Sequence, residues 1–219
     1  MTDRIWQLLI DSFLQILLPG LLVTIPLTIL AFTFGLLIAV GTALVQIANL
    51  QFLKQVARFY IWLVRGTPLL VQLYVIFYGL PSLGIVLEAF PSAVLVFSVN
   101  TGAYAAETIR SSIESVPKGQ LEAGYSVGMS FNQVMRRIVL PQAFRVAFPP
   151  LSNTLIGLVK DTSLAANITV LEMFMVTQQI AARTYEPFIL YCEVAFVYLL
   201  FSTVLTKLQA YGEKKLAAY

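Results

Sequence analysis

The sequence predicts an all-α integral membrane protein with about five transmembrane helices. Hydrophobic residues make up 58% of the 219 residues and charged residues only 11%, which excludes an ordinary soluble domain. Residues 12–53, 66–87, 89–106 and 146–159 contain no charged side chain. Because about 20 apolar residues cross a bilayer core, these runs and their flanks supply four spans, and residues 187–206 supply a fifth.

The first apolar run is about twice as long as one span requires. Pro19 and Gly20 divide it, and Asp3, Arg4 and Asp11 lie among apolar residues before that point. We therefore expect residues 1–20 to form an amphipathic segment in the membrane interface and residues 21–47 to form the first span of a transmembrane domain over 21–219. A cleaved signal peptide is disfavoured, because the apolar stretch is too long and no soluble chain follows it.

The remaining spans follow in order. The second is predicted within residues 59–81, with Arg65 at the headgroups and Pro68 in the first turn of a helix. The third is the run 89–106, and the fourth extends back to about residue 139. The fifth carries Glu193, for which we expect a role in helix packing or in a dimer interface.

Lysine and arginine residues mark one side of these five spans. Residues 54–65, 110–145 and 207–215 hold eleven of them, whereas acidic residues predominate on the other side. The positive-inside rule makes the basic side cytoplasmic. We therefore expect the N-terminus outside and the C-terminus in the cytoplasm.

Several chemistries are excluded by residues that the chain lacks. It contains no G-x-x-x-x-G-K-[ST] sequence, no histidine and one cysteine, Cys192. The subunit is therefore predicted not to be an ATPase and to hold neither a His/Cys metal site nor a disulfide. The net charge of +3 belongs to the basic loops and does not indicate nucleic-acid binding.

A polar segment at about residues 114–141 separates the third and fourth spans. Its sequence from Glu122 to Pro141, EAGYSVGMSFNQVMRRIVLP, resembles the EAA loop of the membrane subunits of ATP-binding-cassette (ABC) importers. On a helix that begins near Lys118, Glu122, Ser126 and Met129 share one face. An ordinary amphipathic connector is the alternative interpretation.

The resemblance implies a short cytoplasmic helix that docks on a separate ATPase subunit. Gly124 replaces the second alanine of the family pattern, and we expect only a more flexible loop there. The predicted ATPase-coupling residues are Glu122, Ala123, Gly124, Gly128, Arg136, Ile138 and Pro141.

The resemblance extends over nearly the whole chain. The segment RGTPLLVQ, residues 65–72, is similar to the second span of the polar amino-acid subfamily, and LSNTLIGLVKDTSLAANITV, residues 151–170, resembles L-cystine permease subunits. It implies a permease subunit of a type I ABC importer in a bacterial cytoplasmic membrane, with L-cystine as substrate. A permease for glutamine or another polar or cationic amino acid is the alternative, although the neutral Asn153 weakens the cationic interpretation.

The resemblance also implies partners. These are two ATPase subunits that bind ATP and Mg, a second permease copy or a paralogue, and an extracytoplasmic amino-acid-binding protein. No cofactor is expected in this chain. Five spans cannot enclose a pathway alone, which agrees with a paired arrangement.

Polar side chains at membrane depth predict the substrate site, because they are costly there unless they face a partner or a wet cavity. Asn100, Tyr104 and Glu107 recur at i, i+4 and i+7 in the third span. The predicted substrate-binding residues are Asn100, Thr101, Tyr104, Glu107, Asn153 and Asp161. Alternatively, the two asparagines only tie helices together and Asp161 pairs with Lys160 at the outer interface.

Two other classes of membrane protein fit the sequence less well. An ion-coupled secondary transporter usually has inverted repeats over a longer chain, and none is evident here. A membrane enzyme needs paired catalytic groups, and the nearest approach is Glu107 with Glu114 beside Arg110.

Overall fold

The computed structural model describes residues 2–48 and 51–217. This part of the chain is helical apart from short turns and contains no strand, which confirms the predicted fold class. Short π- or 3₁₀-helical turns join several of the helices. The α-helices are α1 (Thr2–Pro19), α2 (Ile25–Ile47), α3 (Gln51–Gly66), α4 (Leu69–Tyr74), α5 (Ala89–Glu114), α6 (Lys118–Ser126), α7 (Phe131–Val134), α8 (Leu140–Asp161), α9 (Met173–Thr184) and α10 (Pro187–Ala217).

The first two helices form one continuous rod. A π-helical turn, Gly20–Thr24, joins α1 to α2, and Asp3–Ile47 runs as a single 45-residue helix. Pro19 has no backbone N–H to donate, and the π turn after it changes the spacing of the helix hydrogen bonds so that the helix can continue. We expected the helix to break at Pro19 and Gly20, but it continues through both residues. The position of residues 1–20 in the membrane interface stays a prediction.

Tertiary contacts hold the N-terminal half of this rod against α9 and α10. Ser12 Oγ donates to Glu193 Oε2 at 2.6 Å, and Arg4 Nη2 lies 2.7 Å from Glu186 Oε1. A β-carbon on Gly20 would lie 2.8 Å from Phe201 Cε2, so any larger residue there would force the Phe201 ring to shift. Glu193 thus packs helices together, as predicted.

The predicted second span bends sharply near its middle. The Gln51–Gly66 and Leu69–Leu83 segments are inclined at 105° to each other. Pro68 precedes α4 in an extended conformation, and proline disfavours a helical conformation for the residue before it. Gln72 Nε2 donates to Val64 O at 2.7 Å and to Thr67 O at 3.1 Å, which satisfies carbonyls freed at the bend.

Residues 59–66 therefore belong to the amphipathic α3, before the bend, and residues 69–81 follow it. The predicted second span thus contains a bend, because the turn at Pro68 redirects the chain. Pro68 itself immediately precedes the first residue of α4, one position before its predicted place in the first turn.

The central helix pair is α2 and α5, which approach closely through small residues. A β-carbon on Gly35 would meet Thr101 Cβ at 2.9 Å, and one on Gly102 would meet Ile38 Cγ2 at 2.7 Å. Small residues of this kind let membrane helices pack by van der Waals contact. Gly35 and Gly102 therefore let the α2 and α5 backbones approach each other closely.

A second bend separates α8 from α9. Phe131–Ile168 and Met173–Thr184 meet at 53°. The fully buried Glu172 caps α9 by accepting hydrogen bonds from the Phe174 and Met175 amides at 2.8 and 2.7 Å, and the Tyr198 hydroxyl of α10 donates to it at 3.0 Å. The carboxylate thereby ties the start of α9, at this bend, to α10.

Three described helices are long and apolar enough to cross a membrane, and counting each bent pair as one span gives five. The α6 helix lies between the third and fourth of these, as predicted. The fold thus places one short polar helix on the connection that joins α5 to α8.

Candidate functional site

A cavity of about 580 Å³ opens between the α3–α4 bend, α5 and α8. Four of the six predicted substrate-binding residues line it, namely Asn100, Thr101, Tyr104 and Asp161. The structure therefore brings together polar residues that lie up to 61 positions apart in the sequence (161 − 100). We call this space the central cavity.

Neighbouring helices hold the polar side chains of α5 in place. Asn100 Nδ2 donates to Gln72 Oε1 at 3.2 Å, which links α5 to α4. Thr101 is buried against Gly35 of α2, and its side chain is the closest group to that glycine. Asn100 thus links α5 to α4 and also lines the cavity.

The sequence prediction missed Arg65 as a cavity residue. Its guanidinium carbon lies 5.0 Å from the centroid of the Tyr104 ring, in cation–π geometry, and both residues line the cavity. We expected Arg65 to anchor at lipid headgroups, because an arginine at the end of an amphipathic helix commonly does so. The sequence feature that could have indicated the cavity is the position of Arg65 three residues before Pro68, where the chain bends.

Glu107 does not lie in the central cavity. Its Oε2 atom is 3.0 Å from Arg110 Nη2, and Arg110 Nη1 is 2.6 Å from Glu114 Oε2. Asn100 and Glu107 share a helix face. They are seven residues apart, however, so Glu107 lies about 10 Å farther along α5 than Asn100. The Glu107–Glu114 pair is also occupied by Arg110, which leaves no free pair of carboxylates for the membrane-enzyme alternative.

Asn153 also lies outside this cavity, with its side chain exposed on the surface of α8. The residues of α8 that line the cavity are Thr154, Gly157 and Asp161. The face of α8 that lines the cavity therefore includes the predicted Asp161 but not the predicted Asn153. Lys160 instead lies in a separate groove beside Tyr198.

The cavity carries one cation and one carboxylate. Neither Arg65 nor Asp161 forms a salt bridge with another residue in the described part of the chain. A charged group in a membrane protein is costly unless it meets a partner or water. The two groups can therefore receive a ligand that carries both a negative and a positive charge.

The predicted coupling helix begins at Lys118, as expected, and ends at Ser126. Gly128 has a positive φ of 78°. Its amide donates to Tyr125 O at 2.9 Å and the Met129 amide donates to Gly124 O at 3.1 Å, which together form a Schellman motif. Gly128 thus makes a sharp turn at the end of the helix. Met129 lies after that turn, so it does not share a helix face with Glu122 and Ser126 as predicted.

Gly124 has a different role from the one expected. A β-carbon there would lie 2.9 Å from Ile138 Cδ1 and 3.0 Å from Val134 Cγ2. The glycine therefore allows α6 to pack directly on the helix that leads into α8. The expectation of a more flexible loop is wrong, because Gly124 is buried at a close contact.

The opposite side of this segment is exposed and partly apolar. Val127 and Phe131 are 77% and 61% exposed, with Tyr125 beside them. Glu122, Ala123, Arg136 and Pro141 are also exposed, and Pro141 lies in the first turn of α8. We call the exposed residues of 122–131 the coupling surface; a surface with this composition is suited to a protein partner.

Comparisons with known proteins place the chain in a family. Residues 35–218 match the family described as "Binding-protein-dependent transport system inner membrane component". The chain is 50% identical over 215 residues to the L-cystine transport system permease protein TcyB of Bacillus subtilis (strain 168), covering 98% of this chain and 92% of TcyB. It is 36% identical over 201 residues to the octopine transport system permease protein OccM of Rhizobium radiobacter, covering 88% and 82% of the two chains.

Solved structures agree with this assignment. A chain in the crystal structure of an amino acid ABC transporter with histidines superposes with a TM-score of 0.89 at 34% identity, covering 94% of this chain and 96% of that one. A chain of the inward-facing MetNI methionine ABC transporter gives a TM-score of 0.78 at 17% identity, which shows the shared fold alone. The protein described above belongs to the family of inner membrane components of binding-protein-dependent transport systems and is a permease subunit of an ABC transporter.

Proposed function

We propose that this subunit carries a zwitterionic amino acid, L-cystine, through the central cavity in an ATP-driven importer. The observation that carries the proposal is the pairing of an unbridged Arg65 with an unbridged Asp161 in one cavity. The 50% identity to TcyB, whose name gives L-cystine as its substrate, supports the choice of amino acid. The volume of about 580 Å³ lies within the usual range for small-molecule sites.

The chemistry of the cavity suits the two charged groups of an amino acid. The Arg65 guanidinium can donate two parallel hydrogen bonds to a carboxylate. The Asp161 carboxylate can accept from an ammonium group. Asn100 and Thr101 supply further polar contacts between them, and Tyr104 holds the arginine by its ring.

We also infer the partners that drive transport. The coupling surface would dock on a separate ATPase subunit, with two such subunits serving a pair of permeases. The pair would consist of two copies of this chain or this chain and a paralogue. A binding protein would deliver substrate at the outer face, opposite the basic loops.

The structure offers a direct mechanical route for this coupling. α6 packs through Gly124 on Val134 and Ile138, and the helix that contains both residues continues through a π turn into α8. Asp161 lies at the far end of that helix, roughly 45 Å from Phe131. A displacement of the coupling surface would therefore tilt α8 and move Asp161 relative to α5.

An Asp161→Asn substitution tests the proposed role of the cavity. A charge-assisted hydrogen bond is worth about 1.5–3 kcal/mol, so its loss should raise the KM for uptake roughly tenfold to a hundredfold. Asn153→Ala is the matched control on the same helix, because Asn153 lies outside the cavity. The measurement is substrate uptake by reconstituted complexes of equal yield.

Wild-type KM in both variants would show that the cavity does not select the substrate. An equal increase in both would show that α8 is sensitive to polar changes in general. Either result would overturn the assignment of Asp161 to the ammonium group.

A further inference from the structure

A second polar cavity of about 440 Å³ lies between the end of α2, the α3 helix and the end of α5. It shares no lining residue with the central cavity. Three basic side chains line it, together with the carboxylates of Glu107 and Glu114; the basic residues are Lys54, Arg58 and Arg110. We call it the α3 cavity.

The charges in the α3 cavity leave an excess of cations. Arg110 bridges both carboxylates, with N–O distances of 3.0 and 2.6 Å. Lys54 and Arg58 lie one turn apart on α3 and form no salt bridge within the described residues. Two cations therefore remain available for an anionic ligand.

A buried donor also points into this space. Gln46 is only 8% exposed, lines the cavity, and has an Nε2 atom without a hydrogen-bond partner in the described part of the chain. Its amide is near the Glu107 carboxylate, but the two do not reach hydrogen-bond geometry. Because buried donors are nearly always paired in proteins, Gln46 marks a place where a ligand oxygen would fit.

The surface beside the cavity is apolar and aromatic. Phe59 and Trp62 are exposed on α3, and Trp62, 69% exposed, also lines the cavity. α3 is inclined at 105° to the spanning segment that follows it, so it can lie along the membrane surface. Basic residues combined with tryptophan on such a helix are typical of segments that bind anionic membranes.

We propose that the α3 cavity binds the headgroup of an anionic phospholipid of the phosphatidylglycerol type. Lys54 and Arg58 pair with the phosphate, and Gln46 donates to one of its oxygens. The glycerol hydroxyls donate to Glu107 and Glu114. The acyl chains then lie on the exposed rings of Phe59 and Trp62.

Quenching of tryptophan fluorescence by lipids with brominated acyl chains tests this assignment. The chain has two tryptophans, so Trp6→Phe leaves Trp62 as the only reporter. We expect brominated phosphatidylglycerol to quench Trp62 in the reconstituted full-length chain with an apparent affinity about fivefold to thirtyfold above that of brominated phosphatidylcholine, as one to two cations near a membrane surface would give.

Three variants make the result specific. The double variant Lys54→Gln with Arg58→Gln should bind brominated phosphatidylglycerol and brominated phosphatidylcholine about equally. Gln46→Leu should also reduce the preference for phosphatidylglycerol, although it does not change the charge of the cavity. Lys214→Gln with Lys215→Gln removes the same number of positive charges from the end of α10 and should leave the preference intact.

Equal loss in the Lys214 and Lys215 control would overturn the proposal, because the preference would then reflect net charge alone. Suppression of the preference by millimolar glycerol phosphate or inorganic phosphate would also overturn it, since the site would then bind a soluble phosphate. Equal quenching by the two brominated lipids in the unmodified cavity would show that no such site exists.

Discussion

At the scale of single residues, Gly124 links the coupling surface to the cavity. A β-carbon there would lie 2.9 Å from Ile138 Cδ1 and 3.0 Å from Val134 Cγ2, closer than side chains normally pack. Gly128 acts differently, because its positive φ requires glycine but its β-carbon position is open. The two glycines therefore respond to substitution for different physical reasons.

We predict that Gly124→Ala loosens the packing of α6. Crowding of a packed site costs about 1–3 kcal/mol, whereas alanine gains up to about 1 kcal/mol of helix propensity. The free energy of unfolding should fall by roughly 0–3 kcal/mol, and ATP hydrolysis should uncouple from uptake in proportion. Thermal stability and the ratio of ATP hydrolysed to substrate imported are the two measurements.

Gly119→Ala on the same helix is the matched control, since no atom lies within 4 Å of its β-carbon position. Ile138→Val removes the Cδ1 atom that the new methyl group meets, so it should partly restore coupling in the double variant. No rescue by Ile138→Val would contradict the packing explanation.

The pattern of polar residues in the sequence predicted most of the side chains that line the cavity but not the exact face of α8 that does so. Asn100, Thr101, Tyr104 and Asp161 come together because polar residues in an apolar span face a cavity or a partner. Asn153 does not join them, since a rotation of one residue around α8 exchanges it for Thr154. Arg65 was missed because its contact with Tyr104 spans 39 residues (104 − 65).

At the scale of helices, the sequence located each span, but contacts across the fold decided where helices break. The helix runs through Pro19 because the π turn accommodates the proline while Gly20 packs on Phe201 and Ser12 bonds to Glu193. These partners are 181 residues apart in both cases (201 − 20 and 193 − 12), so no local pattern could reveal them. Pro68 does interrupt the helix, because it is extended and disfavours a helical conformation for the residue before it.

At the scale of the whole molecule, the positions of the basic loops predict that the coupling surface lies in the cytoplasm and the start of α5 outside. A cysteine at Ser130 should react with an impermeant maleimide only from the cytoplasmic side, and one at Glu88 only from outside. Both variants require a Cys192→Ser background, because Cys192 is exposed on α10. Labelling of both positions from one side would refute the proposed orientation.

The role that we propose for this permease subunit is to couple ATP hydrolysis on a partner subunit to the passage of L-cystine through its own cavity. It is tested most directly by uptake of radiolabelled L-cystine into proteoliposomes that contain the full complex and its binding protein, with a panel of amino acids as competitors. We predict ATP-dependent accumulation that unlabelled L-cystine suppresses and that glutamine and arginine do not, and we predict its loss in Glu122→Lys complexes of normal yield. Accumulation that needs no ATP, that persists in Glu122→Lys, or that another amino acid suppresses more strongly than L-cystine would contradict the account.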